Sequence, residues 1–182
     1  VKVCIWGPPS ACENCGGGYS AHKHRIYKHF KDSPLTLTGR IFAVGGGKAI
    51  DTCKVVAHST NRPFFTFTTI ASTCASCTSL GIVYHPDGSL REYSFSKVPP
   101  NHIFIDTEII ANAPDIYLWA GMGDTMAKHY ECTTSSRGHI PAHSDAMGIA
   151  LSSMCADPII RWGKQAMDDC KAHRVTKEFT EV

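Results

Sequence analysis

The sequence of 182 residues has no apolar run long enough to span a bilayer, and its formal net charge is only +2. The first absence argues against a membrane protein, and the second gives no reason to expect a nucleic acid as partner. No charged segment followed by an apolar segment opens the chain, so no secretory signal is visible and a cytoplasmic location is expected. The 43% of hydrophobic and 19% of charged residues are typical of a soluble globular protein.

Cysteine is plentiful, but its pattern does not indicate a disulfide framework. The chain has nine cysteines, an odd number, and Cys53, Cys155 and Cys170 lie in segments with helical periodicity. This distribution is typical of reduced thiols in a cytoplasm. Cys12 and Cys15 have the spacing of a metal-ligand pair. Because a glycine run and loosely spaced histidines follow them, we do not expect a zinc site there.

The most informative segment is the glycine run Gly45–Gly47. The apolar residues 41–44 indicate a buried strand, and helical periodicity begins at Lys48. Glycine lets the backbone approach a ligand closely, and a helix N-terminus offers N–H groups and the positive end of its dipole. The segment therefore predicts an anion site, with a dinucleotide pyrophosphate as the expected guest and a plain tight turn as the alternative.

The segments after the glycine run alternate between helical and strand patterns. The helix is expected to end near Asn61, before Pro63, and residues 64–68 are rich in β-forming side chains. The two strands and the helix between them predict a parallel βαβ unit. Residues 68–79 form a loop of small Thr and Ser side chains at the carboxyl end of the second strand, which favours ligand binding over an ordinary loop.

A hairpin and a further strand complete the predicted α/β part. Residues 80–84 and 90–95 alternate between apolar and polar side chains, and the turn sequence 85–89 with Pro-Asp-Gly at its centre separates them. This arrangement predicts an antiparallel hairpin. Residues 102–106 form another short apolar run, which indicates a further strand of the sheet.

A long helix follows and contains one acid in an otherwise uncharged stretch. We expect Asn112 to cap this helix. Asp124 lies within residues 118–127, and a buried carboxylate is costly unless it has a cation, a hydrogen-bonding partner or water. Gly121 and Gly123 each cost a helix interior about 1 kcal/mol relative to Ala, which suggests that another backbone or a ligand comes close. Metal ligation and bonding to neighbouring backbone N–H groups are the two interpretations of Asp124.

Helical periodicity then continues from Ser144 to the end of the sequence, with an expected break at residues 157–158. The chain is therefore expected to change from an α/β part to an all-helical part near residue 113.

Four stretches together resemble the iron-containing alcohol dehydrogenase superfamily, and specifically its glycerol dehydrogenase branch. In the family's order they are residues 45–54, 69–73, 105–114 and 120–128. The resemblance implies an α/β fold class, with a partial Rossmann-like parallel sheet and a β-hairpin followed by the start of an all-helical domain. It divides the chain into a partial dinucleotide-binding domain, residues 1–113, and a partial helical metal-binding domain, residues 114–182, with the active site in the cleft between them.

The resemblance also implies a function and a set of site residues. Members of this branch oxidise a secondary alcohol of glycerol or a related polyol with NAD and one divalent metal, usually zinc rather than iron. Asp124 matches the family's metal-ligand aspartate. Cys74 occupies the position of an aspartate that contacts the polyol, which puts glycerol itself in doubt, while Cys74 and Cys77 are expected to pack rather than to act as a redox pair. The residues expected to bind the cofactor are Gly46, Gly47, Lys48, Asp51, Thr69, Ser72, Thr78, Leu80 and Tyr84.

In the family's chemistry, the metal binds the substrate alcohol and lowers its pKa, and the alkoxide passes a hydride to the nicotinamide. The family completes its metal site with two histidines that would lie beyond Val182. We therefore expect an internal segment of a longer protein, or a truncated product, with a homo-oligomer as the full-length form. The histidines that do not match the family's motifs are His129, His139, His143 and His173.

Two other functions stay open beside the dehydrogenase, and NAD is not separated from NADP. The first alternative is a fragment that holds a nucleotide without catalysis. The second is a non-redox relative of the dehydroquinate synthase type, which needs a basic phosphate-binding set that the sequence does not show.

Overall fold

The computed structural model describes residues 3–5, 39–85 and 87–182. The cysteine pair Cys12 and Cys15 lies outside these residues. Contacts divide the chain into two compact units, the first formed by Val1–Thr69 with Cys74–Ile105 and the second by Ile70–Thr73 with Asp106–Val182. The domain boundary expected near residue 113 stays a prediction. Every helix in the described part of the chain is too short or too polar to cross a bilayer.

The first unit contains a parallel sheet and a separate hairpin. Its elements are β1 Val3–Ile5, β2 Ile41–Gly45, α1 Gly47–Ser59, β3 Phe64–Thr68, β4 Leu80–Tyr84, β5 Leu90–Phe95 and β6 His102–Ile105. The parallel sheet has the strand order β1-β2-β3-β6, and β4 pairs with β5 in antiparallel fashion. The βαβ unit, the hairpin and the further strand predicted from the sequence are therefore confirmed, as is the α/β fold class.

Helix α1 packs on one face of the parallel sheet because its apolar residues recur at helical spacing. The helix ends at Ser59, and Asn61 adopts a positive φ of 50° just after it. The amide of Arg62 donates to the carbonyl of Ala57 at 2.9 Å, which satisfies one of the last carbonyls of the helix. The buried core of this unit consists of Ala43, Ile50, Cys53, Ala57 and Phe64.

The second unit is helical. Its helices are α2 Thr107–Ala111, α3 Asp115–Ser135, α4 His143–Met154, α5 Ala156–Lys171 and α6 Lys177–Glu181. One cluster of buried side chains forms its core: Ile110, Ala111, Leu118, Ala166, Cys170 and Phe179. The predicted change to an all-helical part is confirmed. The break expected at residues 157–158 lies slightly earlier, at Cys155, because Pro158 falls in the first turn of α5, where its missing N–H costs nothing.

The prediction that Asn112 caps the long helix is wrong. Asn112 is the C-cap of the five-residue helix α2, and Pro114 stands at the N-cap of α3. The carboxylate of Asp106 begins α2 by accepting from the amide of Glu108 at 3.0 Å. A helix of one turn is too short to show a hydrophobic period. The sequence pattern therefore does not reveal α2, and it predicts that Asn112 belongs to the next helix.

Candidate nucleotide-binding site

The glycine turn between β2 and α1 has a backbone that a larger residue would strain. Gly45 has a φ of +148°, and a Cβ placed there would lie 2.9 Å from the Cβ of Ala49. The amide of Thr69, at the end of β3, donates to the carbonyl of Gly45 at 3.2 Å. The turn is therefore held against the end of β3. The ends of β2 and β3 both lie at the carboxyl edge of the parallel sheet, where open α/β sheets bind ligands.

The N-terminus of α1 is not capped by a side chain. Gly46 is its N-cap in an extended conformation, with φ −86° and ψ −177°, and the first turn contains no acidic residue. The amides of Ala49 and Ile50 both donate to the carbonyl of Gly46 at 3.1 Å. The first turn of α1 thus places no carboxylate beside the positive end of the helix dipole, which suits an external anion. These residues fit a phosphate-bearing cofactor.

Two of the predicted cofactor residues meet beside this turn. The Lys48 ammonium lies 6.0 Å from the ring centre of Tyr84 on β4, at the limit of a cation–π contact. The hydroxyl of Thr52 donates to the Lys48 carbonyl at 2.8 Å, which satisfies a backbone group in the same helical turn. Lys48 therefore places a positive charge in the first turn of α1, close to the hairpin.

A buried lysine connects three further predicted cofactor residues. The Lys54 side chain is only 2% exposed. Its ammonium donates to the Leu80 carbonyl at 2.6 Å, to the Asp51 carboxylate at 3.2 Å and to the Thr78 hydroxyl at 3.4 Å. It also donates to the Ala75 carbonyl at 2.8 Å. The sequence analysis predicts no role for Lys54. Its position next to Cys53 in α1 is the feature that could have indicated its burial.

In the second unit, Gly121 of α3 lies directly against the loop that contains Ser72. A Cβ at position 121 would overlap the carbonyl oxygen of Ala71 and lie 3.2 Å from the Cα of Ser72. The close approach of another backbone, which the sequence suggested at Gly121, is therefore found. At Gly123 a Cβ would meet no atom of the described residues within 4 Å, so the backbone approach is found at Gly121 and not there, and the ligand alternative stays a prediction.

The carboxylate of Asp124 has a cation from its own helix as partner. The Lys128 ammonium donates to Asp124 at 2.9 Å and to Glu131 at 3.1 Å, and about a third of the Asp124 side chain is exposed. The hydrogen bond to Asp124, followed by that to Glu131, raises the pKa of Lys128 above its usual range despite partial desolvation. The expectation of a partner is met, but Asp124 is only half-buried.

The described residues do not assemble a metal site around Asp124. Among them, no three His, Cys, Asp or Glu side chains are grouped so that they could hold a metal ion. His129 instead contacts the Ser152 hydroxyl at 3.2 Å, and His173 contacts the Ala111 carbonyl at 3.0 Å. A single half-buried carboxylate is a poor match for a divalent metal, which takes at least three protein ligands in catalytic zinc sites.

Cys74 and Cys77 lie on the loop after β3, and both residues are exposed. The expectation that they pack in the interior is therefore wrong. The Cys77 thiol donates to the Cys74 carbonyl at 3.1 Å. Desolvation of its sulfur raises the pKa of Cys77, and the neighbouring Cys74 raises it further. A raised pKa favours the protonated thiol, which argues against a reactive thiolate at Cys77.

Comparison with known proteins identifies the family of the chain. The chain matches the family model of iron-containing alcohol dehydrogenases over residues 20–114. It is 33% identical over 149 residues to a glycerol dehydrogenase of Thermotoga maritima, which covers 80% of this chain and 41% of that protein. It is 37% identical over 148 residues to glycerol dehydrogenase 1 of Schizosaccharomyces pombe, which covers 78% of this chain and 32% of that protein. The chain belongs to the iron-containing alcohol dehydrogenase family.

Solved structures agree with this assignment. The crystal structure of glycerol dehydrogenase from Schizosaccharomyces pombe matches with a TM-score of 0.75 and 32% identity, over 87% of this chain and 41% of that chain. The chain is thus similar to the glycerol dehydrogenase branch that the sequence motifs indicated. It spans less than half the length of these relatives.

Proposed function

We propose that the protein is an NAD-dependent dehydrogenase that oxidises a secondary alcohol of glycerol or a related polyol. The observation that carries the proposal is the N-terminus of α1, which has no side-chain cap and follows a turn at Gly45 that a larger residue would strain. Family membership and the relatives named glycerol dehydrogenase support the substrate class. NAD would supply the hydride acceptor, and the chain would supply binding and orientation.

The proposal gives the residues of the first unit separate tasks. The N–H groups of Gly46 and Gly47 bind the pyrophosphate, and the Lys48 ammonium offsets part of its charge. The other residues of this unit proposed to line the cofactor are Asp51, Thr69, Thr78, Leu80 and Tyr84. Ser72, which belongs to the second unit, is proposed as a cofactor residue from the family resemblance alone. Thr69 supports the turn as well, because its amide binds the Gly45 carbonyl.

Cys74 is proposed to contact the substrate. Its exposed thiol is a weak hydrogen-bond acceptor and carries no fixed charge, unlike a carboxylate. A polyol therefore gains less from this contact than it would from an aspartate. We expect a diol with fewer hydroxyl groups to be used at least as well as glycerol.

A divalent metal, zinc rather than iron, enters the proposal through family membership alone, with Asp124 as one ligand. The described residues do not group with Asp124 into a metal site. Self-association of the full-length form and a cytoplasmic location are further parts of the proposal that rest on the family.

The test follows NADH absorbance when the full-length protein is mixed with NAD, zinc, glycerol and a panel of vicinal diols. Wild-type protein is expected to turn over at least one diol. Gly45→Ala should lose most of this activity through a raised KM for NAD, because the new Cβ would meet Ala49 at 2.9 Å. The control is Gly148→Ala, where a Cβ meets nothing within 4 Å.

Three outcomes are informative. Turnover that is lost in Gly45→Ala and kept in Gly148→Ala supports the proposal. Saturable NAD binding without turnover of any alcohol in the presence of zinc would favour a nucleotide-binding protein without redox activity. Absence of binding of both NAD and NADP in folded wild-type protein would refute the cofactor assignment.

A further inference from the structure

Two buried side chains from different elements hold the same loop of the first unit. The loop spans residues 74–80. It begins with the short 3-10 turn at Cys74–Ser76 and ends at Leu80, the first residue of β4. Lys54 reaches it from α1, and Thr66 reaches it from β3. Both side chains donate to backbone carbonyls, so the position of the loop depends on these two donors whatever its side chains are.

Lys54 binds both ends of the loop. Its ammonium donates to the carbonyl of Ala75 at 2.8 Å and to the carbonyl of Leu80 at 2.6 Å, and the Asp51 carboxylate lies 3.2 Å away. A buried ammonium is tolerated only when hydrogen bonds replace its water. These partners do so, and the ammonium is in turn confined to one place by them.

Thr66 binds the loop at Ser76, one residue after the Ala75 carbonyl that Lys54 binds. The residue is 0% exposed, and its hydroxyl donates to the carbonyl of Ser76 at 3.0 Å. Thr66 lies in the middle of β3, which pairs with β2 on one side and β6 on the other. The backbone that carries the Thr66 hydroxyl is therefore held in place. The three carbonyls bound by Lys54 and Thr66 are spread over six residues, 75–80, which leaves little freedom for the segment between them.

We infer that Lys54 and Thr66 are positioning residues that set nucleotide affinity by fixing loop 74–80. The inference rests on the proposed function, because Thr78 and Leu80 of this loop are among the proposed cofactor contacts. Lys54 and Thr66 are both buried, so neither is proposed to contact the nucleotide itself. Their effect passes through the backbone of the loop, and loss of either donor lets the proposed contacts move away from the glycine turn.

The first test is hydrogen–deuterium exchange of the loop, which needs no ligand. Thr66→Val keeps the shape of the side chain and removes its hydroxyl, so amides in 74–80 should exchange about tenfold faster than in wild type. Thr66→Ser keeps the donor and should restore slow exchange. Lys54→Met should loosen the loop at both ends. The control Lys164→Met removes an exposed charge from α5 and should leave the loop unchanged.

The second test is calorimetric titration with NAD. Thr66→Val should weaken NAD binding by about tenfold, because the Ser76 carbonyl loses its hydrogen-bond donor and the loop that carries Thr78 and Leu80 is released. Thr66→Ser should bind like wild type. Unchanged exchange in folded Thr66→Val overturns the inference, and so does unchanged NAD affinity when the loop is loosened. If wild type itself does not bind NAD, the proposed function fails, while the exchange data still decide whether the two donors hold the loop.

Discussion

Replacing Gly121 by alanine probes the closest backbone approach in the second unit. The Cβ of an alanine at this position would overlap the carbonyl oxygen of Ala71 and lie 2.9 Å from the Ala71 carbonyl carbon. Both atoms are backbone, so neither can rotate away as the end of a flexible side chain could. Gly123, two residues further along the same helix, has open space at the same atom and provides the matched control.

The magnitude follows from two opposing terms. An alanine in a helix interior gains about 1 kcal/mol over glycine, and this gain is common to both variants. Overpacking costs about 1–3 kcal/mol, and only Gly121→Ala incurs it. Gly123→Ala should therefore be more stable than wild type by up to about 1 kcal/mol. Gly121→Ala should be less stable than Gly123→Ala by about 3 kcal/mol, the upper end of the range, because a main-chain group must move.

Urea unfolding followed by circular dichroism measures both variants under the same conditions. The difference between their midpoints isolates the steric effect, because charge, helix and local sequence are shared. Equal stability of the two variants would refute the close packing of α3 against residues 71–72. A destabilised Gly123→Ala would refute the open environment of that position.

Two further predictions concern the core of the second unit. Phe179→Ala should destabilise this unit by about 3–5 kcal/mol in thermal unfolding, because the ring is only 5% exposed, whereas Phe95→Ala at a 69% exposed site should change little. The Thr176 hydroxyl and, after it, Gln165 and Arg174 hold the pKa of the buried Asp169 below its ordinary value. This contribution to stability is present above pH about 4 and lost as pH falls below it. The stability difference between wild type and Asp169→Asn should therefore shrink in acid. A difference that stays constant with pH would contradict the lowered pKa of Asp169.

Local patterns predicted the elements of the first unit well. The hairpin follows from two alternating runs and a turn in which the Asp87 carboxylate accepts from the Ser89 amide at 2.9 Å and Gly88 has a φ of 89°. The βαβ unit follows from the apolar period of α1 and the β-forming residues of β3. These signals lie within a few residues of the structure that they determine, so a single sequence is enough to read them.

Other features depend on distant partners and could not be predicted. The role of Lys54 comes from carbonyls 21 and 26 residues away, and the sequence does not tell which carbonyls will surround a buried ammonium. Gly121 and Gly123 have the same local context, yet only Gly121 meets another backbone. The family resemblance predicts that Asp124 is a metal ligand, whereas in the structure the Lys128 ammonium lies 2.9 Å from the Asp124 carboxylate. Tertiary neighbours decide each of these cases.

The glycine turn at Gly45–Gly47 is proposed to anchor a nicotinamide dinucleotide. Titration of the protein with NAD, followed by nuclear magnetic resonance of isotope-labelled glycine amides, reports on these residues themselves. Saturable shifts are expected for the amides of Gly46 and Gly47, while Gly88 in the hairpin turn and Gly138, whose Cβ positions meet nothing within 4 Å, should stay unchanged. Saturable binding that leaves the Gly46 and Gly47 amides unperturbed would show that the nucleotide binds elsewhere.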